Sequence, residues 1–178
     1  MTKSYRFAAL LATVALALGA TTAFAHDGGG DNHGHGDKGQ GHRHGGDVLR
    51  SDLFGSQVAP TGPVLFGVDP GGLPWVIARG EARVRRNGRV KVRVEGLVIP
   101  TPPQNGTNPV SNIAASVYCG GTLVDTTDAV PFSPAGDARI DAMLEKAVPS
   151  PCLAPAVLLN PAPGGVVAAG TYIAATGE

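Results

Sequence analysis

The segment Ile77 to Ile99, IARGEARVRRNGRVKVRVEGLVI, constrains the fold of this chain more than any other. Ala78, Gly80, Ala82 and Val84 alternate with Arg79, Glu81, Arg83 and Arg85. Beyond Asn87-Gly88, Val90, Val92 and Val94 alternate with Arg89, Lys91, Arg93 and Glu95. Period-2 alternation of this kind is the signature of strands with one buried face. The two runs therefore read as a β-hairpin.

The register follows from which residues must share a face. A two-residue Asn-Gly turn would set Val84 opposite Lys91 and mix core with charge. A three-residue loop, Arg86-Asn87-Gly88, sets Val84 opposite Val90, Ala82 opposite Val92 and Gly80 opposite Val94. Gly88 then takes the left-handed position of a type I turn with a G1 bulge. On the outer face this register pairs Glu81 with Arg93 and Arg79 with Glu95. It also sets Arg83 against Lys91 and Arg85 against Arg89, a repulsive, positive tip.

The chain begins with Lys3 and Arg6, an apolar run from Phe7 to Leu18, and Ala23-Phe24-Ala25. This is the pattern of a signal peptide over residues 1–25. The run is too short to span a membrane, and no later segment is a candidate, so the expectation is a secreted, extracellular protein. Removing residues 1–25 from the 178 leaves 153 residues with 12 basic and 14 acidic side chains. The hairpin's positive charge is thus local: residues 79–95 hold seven basic and two acidic side chains.

Residues 26–47 hold nine glycines, all five histidines and no apolar side chain. Such a composition cannot bury a core and predicts a disordered tail. It is also a metal-binding composition. His33-Gly34-His35 and His42-Arg43-His44 are two His-x-His pairs, and the amine and ring of His26 form a further chelate. Neutral imidazoles suit Zn, Cu and Ni, with Asp31 or Asp37 as supplements. Between Val48 and Glu178 there is no histidine, so a rigid copper brace on His26 lacks its second histidine.

Two cysteines remain, Cys119 and Cys152. In an exported chain an even pair reads as a disulfide. Cys119 continues the inward alternation of Ile113, Ala115 and Val117. Closing this loop stabilises by about 4 kcal/mol in the chain-entropy model.

Residues 48–178 form the domain. Short apolar runs are punctuated by Gly and Pro: Val48 to Asp69, the hairpin, Ile113 to Cys119, Thr122 to Thr126, Pro155 to Asn160 and Thr171 to Thr176. Ala138 to Leu144 fits a strand or a helix, and its Pro and Gly flanks favour the strand. Trp75 reads as core. Asn105-Gly106-Thr107 is formally a glycosylation sequon in a proline-rich loop. The expected fold is all-β, an antiparallel, Ig-like β-sandwich of about seven to nine short strands.

Gly71-Gly72-Leu73-Pro74-Trp75-Val76, Val94-Glu95-Gly96-Leu97-Val98-Ile99-Pro100, Gly136-Asp137-Ala138-Arg139-Ile140, Cys152-Leu153-Ala154-Pro155-Ala156-Val157-Leu158 and Tyr172-Ile173-Ala174 carry a further signal. With these motifs, spread over Leu53 to Gly177, the chain resembles a group of exported actinobacterial proteins of unknown function. The resemblance implies an exported β-domain and brings no catalytic residue with it.

Several chemistries lack their residues. Without a domain histidine there is no Ser-His-Asp triad and no histidine metal centre. No P-loop or dinucleotide pattern occurs. Asp125, Asp128, Asp137, Asp141 and Glu145 offer carboxylates for a hydrolase, with Asp137 and Asp141 the pair to test. Asp125-Thr126-Thr127-Asp128 falls short of a full Ca²⁺ loop. The domain's six aromatics do not interleave with the basic run, so nucleic acid is not the expected partner. The sequence thus points to a non-enzymatic exported binding or structural module. The alternative is an extracytoplasmic metal-binding protein using His26, His33, His35, His42 and His44. If the hairpin binds a partner, it is an anionic cell-wall polymer at Arg83, Arg85, Arg89 and Lys91. The plain alternative is a solvated sheet face whose charges discourage edge aggregation.

Overall fold

A computed structural model describes residues 46–58 and 61–177. The signal segment and the five tail histidines lie outside the described residues. Within them the chain is all-β and antiparallel, apart from one parallel pair of two-residue strands and one 3₁₀ turn at Pro163–Gly165. The strands are β1 (Asp47–Gly55), β2 (Asp69–Pro70), β3 (Arg79–Arg85), β4 (Arg89–Glu95), β5 (Asn112–Cys119) and β6 (Thr122–Thr126). They continue with β7 (Val130–Pro131), β8 (Ala138–Met143), β9 (Ala156–Pro161), β10 (Thr171–Tyr172) and β11 (Ala174–Thr176).

The main sheet runs β6-β5-β9-β11-β1-β3-β4-β8, with β7 also on β5. β1 joins its two halves. Asp47 to Asp52 pair with β3, and Leu53 to Gly55 pair with β11. The layers expected from the sequence are therefore two halves of one curled sheet. Ala82, Val84, Val90, Val92, Val94 and Ile140 of one half pack in a single core with Ile113, Ala115, Val117, Val157 and Leu159 of the other. Trp75 lies in this core and is 4% exposed. Each fully buried valine here contributes about 1.5–3 kcal/mol.

The hairpin register is the expected one. Val84 pairs with Val90, Ala82 with Val92, Gly80 with Val94 and Arg83 with Lys91. Gly88 has φ +84°, and its N–H donates to the Arg85 carbonyl at 2.9 Å. β8 settles the helix–strand ambiguity. Ala138, Ile140 and Ala142 turn inward against Val94, Val92 and Val90 of β4.

In the second half β5 and β9 are buried on both faces. Val157, Leu158, Leu159 and Asn160 of β9 are all fully buried. Val68, Tyr118, Leu158, Tyr172 and Ala175 form a second cluster outside the sheet, with Phe66 stacked on Tyr118 at 4.7 Å. Polar groups trapped there are satisfied. Ser116 Oγ donates to Asn160 Oδ1 at 2.7 Å, and Asn160 Nδ2 donates to the Thr171 carbonyl at 2.7 Å.

Cys119 and Cys152 form the expected disulfide. One boundary moves: Asp47, assigned to the tail by composition, is the first residue of β1. Its carboxylate finds arginine partners on β3, which the glycine-rich run before it concealed.

Candidate functional site

The outer face of β1, β3, β4 and β8 is the candidate site. Alternation fixes it: the inward rows fill the core, so every charged residue of the four strands points out. Together they carry Arg50, Arg79, Arg83, Arg85, Arg89, Lys91, Arg93 and Arg139 against Asp47, Asp52, Glu81, Glu95 and Asp141, a net charge of +3.

The acids are placed so that most serve two cations. Asp47 lies 2.7 Å from Arg83 Nη2 and 3.7 Å from Arg85 Nε. Asp141 receives a two-pronged hydrogen bond from Arg89, at 2.8 and 2.9 Å, and lies 3.1 Å from Lys91 Nζ. Glu95 pairs with Arg93 on its own strand and with Arg79 at 3.6 Å. Each of these three clusters keeps one net positive charge. Glu81 pairs with Arg50 at 2.8 Å. Among the described residues Arg139 has no carboxylate within 4 Å.

The electrostatics follow the geometry. The hydrogen bond from Arg83 holds the Asp47 carboxyl below the usual range and raises the arginine. Arg89, then Lys91, lower Asp141 to about 2. Arg89 is raised in turn by Asp141. All these groups stay ionised at any physiological pH. A shallow depression of about 340 Å³ opens on the face, lined by Arg50, Glu81, Arg83, Lys91, Arg93, Arg139 and Asp141 with Val92 and Ile140.

The structure brings together what the sequence named, with changes. Arg83, Arg85, Arg89 and Lys91 share the face, but their mutual repulsion is relieved by Asp47 and Asp141 from the flanking strands. The Arg79–Glu95 rung forms. The Glu81–Arg93 rung does not, because Arg50 takes Glu81 and Glu95 takes Arg93. Sequence reasoning missed Asp47, Arg50, Asp52 and Arg139. The alternation of Arg50 and Asp52 with Leu49, Ser51 and Leu53 was the available signal, and strand order was what it lacked.

The carboxylates proposed for hydrolysis are dispersed. Asp137 Oδ1 accepts from the Gly96 N–H at 3.0 Å, whereas Asp141 is engaged with Arg89 and Lys91. Four extended residues separate them by roughly 13 Å, beyond the reach of a glycosidase pair. Asp125 Oδ2 accepts from Glu145 N at 2.8 Å and Lys146 N at 3.0 Å. It thereby ties β6 to the chain leaving β8, and those amides, Lys146 first, lower its carboxyl. Among the described residues no three His, Cys, Asp or Glu side chains gather as a metal site, and no helix is long and apolar enough to cross a membrane.

Comparison with known proteins finds no family model, no curated protein and no solved structure that matches this chain. The assignment of function therefore rests on the geometry alone.

Proposed function

We propose that the protein is an exported, non-enzymatic binding module whose cationic sheet face engages an anionic cell-wall glycan. The observation that carries this reading is the sharing of carboxylates. An acid that serves two cations leaves a net positive charge in each cluster, and one arginine of each, Arg83, Arg89 or Arg93, is held by a hydrogen bond. The entropy of holding long basic side chains in place is met before the ligand arrives. Arg139, opposite Arg93 and lining the depression, is the cation most open to a carboxylate or phosphate of the polymer.

The disulfide supports an oxidising compartment, and with it the exported character of the group the chain resembles. The reading is tested by titrating the signal-free chain with polygalacturonate and dextran sulfate in EDTA. Binding that weakens as salt rises, and weakens about tenfold in R93E/R139E, supports it. Absence of binding to either polymer at low salt refutes it.

A further inference from the structure

The strands that build the cationic face, β1, β3, β4 and β8, hold one aromatic side chain, Phe54. Alternation along β1 points Phe54 outward with Arg50 and Asp52, and it is 54% exposed. Its cross-strand partner on β11 is Ala175, too short to cover the ring. One ring edge lies against Gly177, where a built Cβ would meet Phe54 Cδ2 at 2.9 Å and Cε2 at 3.1 Å. On the other side of β1, a Cβ built at Gly80 would meet Leu53 Cβ at 2.8 Å. With Leu53 against Gly80, the antiparallel direction sets Phe54 level with Arg79, about 5 Å away between backbones. Arg79 is the most exposed of the ion-paired cations among the described residues, at 76%, and its contact with Glu95 is a long 3.6 Å.

We propose that Phe54 and Arg79 form the sugar-recognising subsite of the face. The apolar C–H side of one pyranose ring packs on Phe54, and the carboxylate of that same sugar bonds to Arg79. The proposal rests on the reading of the face as a glycan-binding surface, and it names the glycan as a polyuronate. Charge alone does not separate polyanions, because phosphate chains and uronate chains meet the same arginines. An aromatic ring does separate them. Its face offers dispersion contact and a negative quadrupole to the C–H groups of a sugar, and a chain of bare phosphates has nothing to place there. A guanidinium beside the ring matches the planar carboxylate of the sugar.

The subsite is prepared before the ligand arrives. Gly177 and the β1 backbone hold the ring in place, so little side-chain freedom is lost on binding. Ala175 and Gly177 keep the space above it clear. The apolar area that Phe54 exposes in the free protein is removed from water when a sugar ring covers it. Arg79 keeps its charge available because Glu95 is also engaged by the hydrogen bond from Arg93.

The test titrates the signal-free chain in EDTA with polygalacturonate and, as a polyanion without rings, with inorganic polyphosphate. F54A is expected to weaken polygalacturonate binding about fivefold and to leave polyphosphate binding unchanged. That unchanged affinity also shows that the variant is folded, and F54Y restores the affinity for polygalacturonate. F54A and R79Q act on one sugar residue, so their combined loss is smaller than the product of the single losses. Equal effects of F54A on both polymers, or none on either, overturn the subsite while salt-sensitive polygalacturonate binding upholds the face. Fully multiplicative losses in F54A/R79Q overturn the pairing of Phe54 with Arg79. Absence of polygalacturonate binding in the parent overturns both the subsite and the face.

Discussion

Asp141 shows how much one side chain can be asked to do at the residue scale. Its carboxyl is held at about 2 by Arg89 and Lys91. The unfolded value is near the ordinary aspartate range, so the folded state binds its proton later. The stability this contributes is complete above about pH 4 and is lost as pH falls through about 2. Denaturant midpoints measured from pH 5 to pH 2 are expected to fall less steeply in Asp141→Asn than in the parent. An unchanged slope would show that the Arg89 and Lys91 contacts do not persist in solution. Asp47 and Asp125, both lowered, supply the slope that remains. Two glycines make a second residue-scale contrast. Gly88 has φ +84°, and a built Cβ would meet Leu144 only at ordinary contact distance, 3.7 Å, so Gly88→Ala is expected to cost about 1–2 kcal/mol from backbone strain alone. Gly136 has φ +82°, and its Cβ would clash with the Leu97 carbonyl oxygen. Gly136→Ala adds an overpacking cost of about 1–3 kcal/mol to the same strain. Chemical denaturation of the two variants orders them, and equal losses would contradict the packing at Leu97.

Among the elements, the hairpin was the most legible. Its register was decided by residues on one short stretch: a mixed core is intolerable, so only a three-residue loop fits. The outer-face pairing was legible only in part. Arg79–Glu95 could be read because both partners lie in the hairpin. Glu81–Arg93 failed because Arg50, thirty-one residues before Glu81, reaches the same carboxylate from β1. Strand order is non-local, and no pattern within β1 announces that it lies beside β3. The same reasoning explains β5 and β9, where burial on both faces depends on a distant covering segment with Val68 and Tyr172. The disulfide is the element-scale device most open to test. It links the end of β5 to the chain entering β9 across 33 residues. C119A/C152A is expected to lose about 4 kcal/mol of unfolding free energy. Loss of well under 1 kcal/mol would mean that the loop is already constrained in the unfolded chain.

For the whole molecule the main fact is the partition of charge. Four strands carry a net +3, although the chain beyond residue 25 has 12 basic and 14 acidic side chains. Over the other half of the curled sheet the same outer face is covered by apolar and aromatic packing around Tyr118 and Tyr172. This asymmetry gives the protein one charged face with its counter-ions shared in threes. A face of that kind raises the local concentration of a polyanion and holds it without a deep pocket. Calorimetric titration of the signal-free protein with polygalacturonate in EDTA, at 20 and 200 mM salt, tests this most directly. The account predicts saturable binding at low salt, weakened at high salt and about tenfold weaker in R93E/R139E. Binding that ignores salt, or that R93E/R139E leaves intact, would contradict it.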